Sequence, residues 1–283
     1  MTGTNGNTIR TEALAPHCGV EVHGIQMRDA DGDALDELKR LVHVHGVAVL
    51  RDQQLTPEDH IAFANRWGGI DINNYFPLDD GYPEIAIVRK AADQQTNIGG
   101  AWHTDHSYDK VPAMGSVLVA RQLPPSGGDT LFAHMGAAYD ALPEGIKAEI
   151  EELKAYHSAD HVYSPDGIYA KTDQGTQLRG QEVTTGAVHP VVVRHPQTGR
   201  KLIYVNPSFT IRFDGQTREE SLPLLQKLFA EAMNPAHHAR VVWREGTVTI
   251  WDNRTTWHNA MNDYQGHARE MHRITLSGEA LAA

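Results

Sequence analysis

His103 and Asp105 stand two residues apart in the run Trp102-His103-Thr104-Asp105, and a lone His258 answers them from far downstream. On an extended backbone alternate side chains point the same way, so both groups can face one centre from a single strand or strand end. A third group must then come from a remote strand, and the apolar run Val248–Trp251 just ahead of His258 supplies one. That requirement constrains the fold, because distant strands have to lie side by side.

Two imidazoles and one carboxylate leave half of an octahedral metal free for other molecules. Such a face with open positions is the set expected of non-haem Fe(II) oxygenases. The triplet itself is cheap, since a chain with 17 His should hold about one His-x-Asp by chance. The remaining histidines, including the neighbours His43/His45 and His237/His238, have no carboxylate at ligand spacing and read as packed or surface residues. Further residues join the His103 set: Gly127-Gly128-Asp129-Thr130, Ile250-Trp251-Asp252-Asn253-Arg254 leading to His258, Arg269 eleven residues beyond His258, and Arg273 four further on. A zinc hydrolase could use the same three ligands, but it gives no reason for Thr130, Arg269 and Arg273 at these spacings. A non-catalytic binding module would be expected to lose ligands, and none is missing.

Taken together, these motifs resemble the taurine dioxygenase/2,4-dichlorophenoxyacetate dioxygenase family of Fe(II)- and 2-oxoglutarate-dependent oxygenases, over about residues 12 to 278. The resemblance implies a double-stranded β-helix, or jelly roll, mainly β with packed helices. It implies Fe(II) on His103, Asp105 and His258, with 2-oxoglutarate and O2 as cosubstrates. The distal carboxylate of 2-oxoglutarate is expected on Arg269, a forked and permanently charged donor, and on the Thr130 hydroxyl. A small neutral residue at 105 would leave room for a halide, so the carboxylate points to hydroxylation.

Arg273 speaks to the substrate. Along a strand 269, 271, 273 and 275 share one face, while Ile274 and Leu276 take the other. In taurine and aryloxyacetate members the second arginine holds the substrate's anion, so a small organic carboxylate, sulfonate or sulfate is expected. By the same likeness Asn73, Phe76, Gly99, His106, Tyr163 and Phe209 fall at pocket positions. Gly99 stands where taurine enzymes place an asparagine, which favours a larger and less polar anion than taurine. Cleavage of an adjacent C–O or C–S bond, a taurine-type sulfonate reaction and desaturation all stay open.

Composition narrows the partners. A net charge of −11 and no basic run longer than a pair argue against nucleic acid. No transmembrane stretch or signal peptide is visible, so a cytoplasmic setting without membrane attachment is expected. The single Cys18 excludes an internal disulfide and has no activating neighbour. Relatives commonly form dimers or tetramers, so a homo-oligomer is expected.

Along the chain, residues 1–10 read as a flexible start and 11–283 as one oxygenase domain. Helices are predicted over about 31–44, from Thr56-Pro57 onward, and over 135–142, 144–155 and 217–232. Strands are predicted at 47–50, 84–89, 114–121, 189–194, 201–206, 240–243, 247–251 and 271–277. Many short strands with a few early helices suggest one antiparallel sandwich with helices outside. Segments near 71–101 and 157–188 are too long for simple connections and read as lids.

Overall fold

The computed structural model describes residues 9–179 and 186–283. The predicted flexible start lies mostly outside these residues, as does part of the second lid. In chain order come β1 (Arg10–Ala13), β2 (Val20–His23), α1 (Gly32–His45), β3 (Val47–Leu50), α2 (Pro57–Trp67) and β4 (Ile70–Asp71). Next are β5 (Ala86–Lys90), β6 (Gly115–Gln122), β7 (Thr130–His134), α3 (Met135–Ala141), α4 (Glu144–Ile150), β8 (Lys154–Ser158) and α5 (Asp160–Tyr163). The rest is β9 (Gly186–Pro190), β10 (Val192–Arg194), β11 (Lys201–Ile203), β12 (Thr210–Phe213), α6 (Arg218–Ala232), β13 (His238–Val241), β14 (Val248–Asp252), β15 (Thr256–Ala260) and β16 (Arg269–Leu276).

The large sheet runs β1-β2-β3-β14-β6-β16-β4, with β5 beside the other end of β16. All its pairings are antiparallel except β2 with β3. A smaller sheet, β13-β7-β15, faces it. Val47, Val49, Leu118, Trp251 and Met271 of the large sheet pack against Phe132, Ala239 and Val241 of the small one. The alternate residues of those strands, Ala48, Leu50, Val117, Val119, Val248, Ile250, Ile274 and Leu276, join α1 and α2 through Leu38, Leu41, Phe63 and Trp67. Both faces of the central strands are thus buried, which explains their near-continuous apolar runs. Each such Leu or Ile contributes about 1.5–3 kcal/mol relative to exposure. The fold is a jelly roll with helices packed outside, as the motifs implied.

Local chemistry sets the element ends. Thr56 Oγ1 accepts from the Asp59 N–H at 3.2 Å while the Asp59 carboxylate accepts from the Thr56 N–H at 3.1 Å, a reciprocal cap with Pro57 in the first turn. The predicted helix over 144–155 is shorter. It stops at Ile150, where the Leu153 N–H turns back to the Ile150 carbonyl, because Lys154–Ser158 pair with β9 and β12 as a strand. The predicted strand at 189–194 divides into β9 and β10.

Candidate active site

The two histidines meet through the backbone. His103 donates its N–H to the His258 carbonyl at 3.1 Å, and His258 returns the bond at 2.8 Å. This bridge brings the imidazole centroids to 4.1 Å. His103 Nε2 lies 3.6 Å from Asp105 Oδ1, and His258 Nε2 lies 3.7 Å from Asp105 Oδ2. All three side chains are buried, and their ligand atoms lie within 4.8 Å of one another.

Fit to a metal follows from the donors' states. His103 Nδ1–H donates to the Ala101 carbonyl at 2.7 Å, which leaves the Nε2 lone pair facing inward. Burial holds both imidazoles below their ordinary pKa, His258 well below, so they are neutral. Burial alone would raise the Asp105 carboxyl. The Arg273 guanidinium reverses that and holds it below the usual carboxylate range. Asp105 Oδ2 is buried with no hydrogen-bond partner among the described residues. Neutral imidazoles, an ionised carboxylate and an unsatisfied oxygen are what a divalent cation requires. Phe132 and Trp251 flank the His258 ring at 5.8 and 4.9 Å and limit its movement.

A second cluster has the same residue types and a different chemistry. Asp252 Oδ2 accepts from His43 Nδ1 at 3.1 Å, from His195 Nε2 at 3.0 Å and from Arg254 Nη2 at 2.6 Å. The guanidinium already sits where a cation would go, so this group is a closed structural network. It borders an open groove of about 770 Å³ that shares no lining residue with the cavity at His103. The smaller, enclosed cavity carries the chemistry, because His103, His258, Thr130, Arg269 and Arg273 all line it.

One wall of that cavity is cationic. Arg269 is buried with Nε and Nη2 unpartnered among the described residues, and its guanidinium stacks 5.7 Å from the Trp243 ring. Thr130 Oγ1 accepts from Trp243 Nε1 at 3.0 Å, so its own hydrogen stays free to donate. The Gly-Gly pair makes this seat possible. Gly128 has φ +72, and a Cβ there would come within 3.1 Å of Arg269 Cδ and 3.3 Å of the Tyr264 ring. Gly128→Ala should therefore cost about 1–2 kcal/mol of stability and, if Arg269 and Thr130 seat 2-oxoglutarate as the resemblance implies, should weaken its binding by roughly tenfold. Ligand titration and thermal melts would check this, and unchanged values in both would contradict the packing argument.

The remaining walls are aromatic. Phe76, Gly99 and Tyr163 line the cavity, and Phe209 lines a neighbouring recess with His103. Arg273 Nη1 donates to Asp105 Oδ1 at 3.2 Å, with its guanidinium 5.6 Å from the Phe76 ring. Asn73 and His106 are buried but do not line either space. Asn73 Oδ1 instead accepts from the N–H groups of Tyr75 and Phe76, and His106 is held by Asp109 at 2.8 Å in a left-handed conformation, φ +58.

The two predicted lid segments meet over this space. Tyr169 Oη accepts from the Gly99 N–H at 2.8 Å, and the Asp173 carboxylate accepts from the N–H groups of Gln95 and Thr96. Arg179 donates to the carbonyls of Tyr75 and Asn73. Behind them the free volume is only about 50 Å³, far below the roughly 300–1,000 Å³ of ligand pockets. Trp243 and Tyr169 went unnoticed in the sequence because a tryptophan or a tyrosine without a motif reads as core.

The profile described as "Taurine catabolism dioxygenase TauD, TfdA family" matches residues 10–275. The (S)-phenoxypropionate/alpha-ketoglutarate-dioxygenase of Sphingobium herbicidovorans is 35% identical, covering 92% of each chain. An alkylsulfatase of Acinetobacter baylyi is 32% identical, over 96% of this chain and 86% of that one. A putative alpha-ketoglutarate-dependent taurine dioxygenase from Burkholderia xenovorans superposes with a TM-score of 0.83 at 28% identity, covering 98% and 95%.

Proposed function

Because this chain belongs to the TauD/TfdA family of 2-oxoglutarate-dependent dioxygenases, we propose that it hydroxylates a small organic anion larger and less polar than taurine. The observation that carries this reading is a buried, cavity-lining Arg273 set against the aromatic face of Phe76, beside Tyr163 and Gly99. Relatives named for alkyl sulfate and phenoxypropionate chemistry support the same class.

In this proposal His103, Asp105 and His258 hold Fe(II), while Arg269 and Thr130 seat the distal carboxylate of 2-oxoglutarate. Fe(II), 2-oxoglutarate and O2 supply the oxidising power, with succinate and CO2 as by-products. The chain's own part is placement and dryness. Arg273 fixes the substrate's anion, and its surplus donors allow it to do so while still paired with Asp105. Phe76, Tyr163 and Phe209 shape an apolar slot for the organic body, and Gly99 leaves that slot room. Asn73 presents Phe76 by capping its turn, and His106, oriented by Asp109, shares the turn that carries Asp105. Where the hydroxylated carbon also bears O or S, the product collapses and the bond to the leaving group breaks. We further propose a cytoplasmic homo-oligomer; among the described residues no helix is long and apolar enough to cross a membrane.

The test is succinate release from labelled 2-oxoglutarate across a panel of aryloxyalkanoates, alkyl sulfates, sulfonates and simple carboxylates. Anions should stimulate release and matched neutral alcohols should not. Arg273→Met should raise KM for the best anion about 30- to 100-fold, the cost of unpairing a buried charge. Equal stimulation by neutral analogues would refute the anionic class.

A further inference from the structure

One buried cation has no role in the site so far described. Lys90, the last residue of β5, is 2% exposed, and its Nζ has no hydrogen-bond partner among the described residues. The contact it does make is with the face of Tyr264, whose ring centroid lies 4.7 Å from Nζ. Register places it with care: Lys90 stands directly opposite Arg269, as Val88 does opposite Met271 and Ala86 opposite Arg273. Residues opposite one another in an antiparallel pair project to the same face. Val88, Met271, Arg269 and Arg273 on that face line the cavity, and Lys90 lies just beyond its lining, next to Arg269 across the pair.

Tyr264 joins the two cations. A Cβ at Gly128 would touch both Arg269 and the Tyr264 ring, so Lys90, Tyr264 and Arg269 form one contiguous group around the Gly127–Gly128 turn. The acids nearby are already engaged: Asp129 with Arg240 at 2.6 Å, and Asp263 with the Gly128 N–H at 2.7 Å. Like charges directly opposite on paired strands repel, and buried charges without partners are costly. Two such cations, each with spare donors, describe a seat for an anion that arrives from solution.

We propose that Lys90 is a second cation of the cosubstrate seat, acting with Arg269 and Thr130 to select an oxo acid that carries a distal carboxylate. This rests on the assignment of that carboxylate to Arg269. Lys90 contributes affinity and selection for 2-oxoglutarate and leaves the substrate's anion to Arg273.

The experiment is equilibrium dialysis of labelled 2-oxoglutarate against the full chain loaded with Mn(II), with 2-oxobutyrate, which lacks the distal carboxylate, as competitor. Lys90→Met should weaken 2-oxoglutarate about tenfold, the loss of one charge-assisted contact, while 2-oxobutyrate binds as before. Lys90→Arg should restore most of the affinity, and in turnover KM for 2-oxoglutarate should rise with little change in kcat. Lys90→Gln repeats the measurement if the Met variant melts early. Unchanged 2-oxoglutarate binding in folded Lys90→Met or Lys90→Gln overturns the proposal and leaves Lys90 as a packing partner of Tyr264. If Arg269→Met also binds 2-oxoglutarate normally, the seat itself is misassigned and both ideas fall.

Discussion

Asp105→Ala is expected to end turnover and to weaken metal binding by more than the roughly 10–100-fold typical of losing a group that merely supports a ligand. The reason is electrostatic as well as coordinative. Asp105 supplies the cluster's negative charge, and its buried Oδ2 has no hydrogen-bond partner among the described residues. Its removal leaves two neutral imidazoles next to the Arg273 guanidinium, a surrounding that disfavours a dication. Asp105→Asn keeps the shape and loses the charge, so it should fail nearly as badly. Anaerobic Mn(II) or Co(II) titration reports binding, and succinate release reports turnover. Iron-dependent release at the wild-type rate in either variant would refute the ligand assignment.

The second large effect concerns stability. Arg254→Met should destabilise the fold by about 3–5 kcal/mol, the usual cost of leaving one buried charge uncompensated, lowering Tm by about 2–4 °C per kcal/mol. Burial by itself would raise the Asp252 carboxyl, but Arg254 and hydrogen bonds from His195 and His43 hold it well below the usual range. A carboxylate so depressed contributes stability that is complete above its unfolded pKa, near 4, and is lost as pH falls through the folded value. The variant lacks most of that depression. Its deficit should therefore be largest at neutral pH and should shrink as the pH drops below about 4. Melts at pH 7 and pH 3.5 give the comparison, and a deficit that is the same at both would assign the loss to packing.

The parts of the molecule with regular patterning could be read from the chain. Leu35, Leu38, Leu41 and Val42 announced α1, Thr56-Pro57 announced α2, and the apolar run at Val47–Leu50 announced β3. The His103, Asp105 and His258 constellation stood out only because Thr130, Arg269 and Arg273 accompany it at their spacings. What escaped were the strands that carry the site. β7 and β15 hold Thr130 and His258, yet Thr130–His134 and Thr256–Ala260 show no apolar alternation, since their inward residues serve the cavity as well as the core. The start of β8, Lys154 and Ala155, fell inside the helix predicted over 144–155, and its end fell in the second lid segment, because only β9 and β12 beside it make it a strand. Lys90 passed unremarked as one of many surface lysines, and only its register against Arg269 reveals otherwise. The Asp252 network was hidden for the same reason: His43, His195 and Arg254 are brought together by the fold, not by spacing.

Arg269 and Arg273 ride on one strand, four positions apart and facing the same way. At about 3.3 Å per residue the backbone separates their anchor points by roughly 13 Å, and in a buried site, where salt screens only weakly, that spacing is what keeps like charges apart. On the proposed assignment the strand is a ruler that lets two negatively charged guests lodge together without crowding each other. It also ties their fates, since a slip of one residue would turn both guanidiniums outward and erase both berths in a single step.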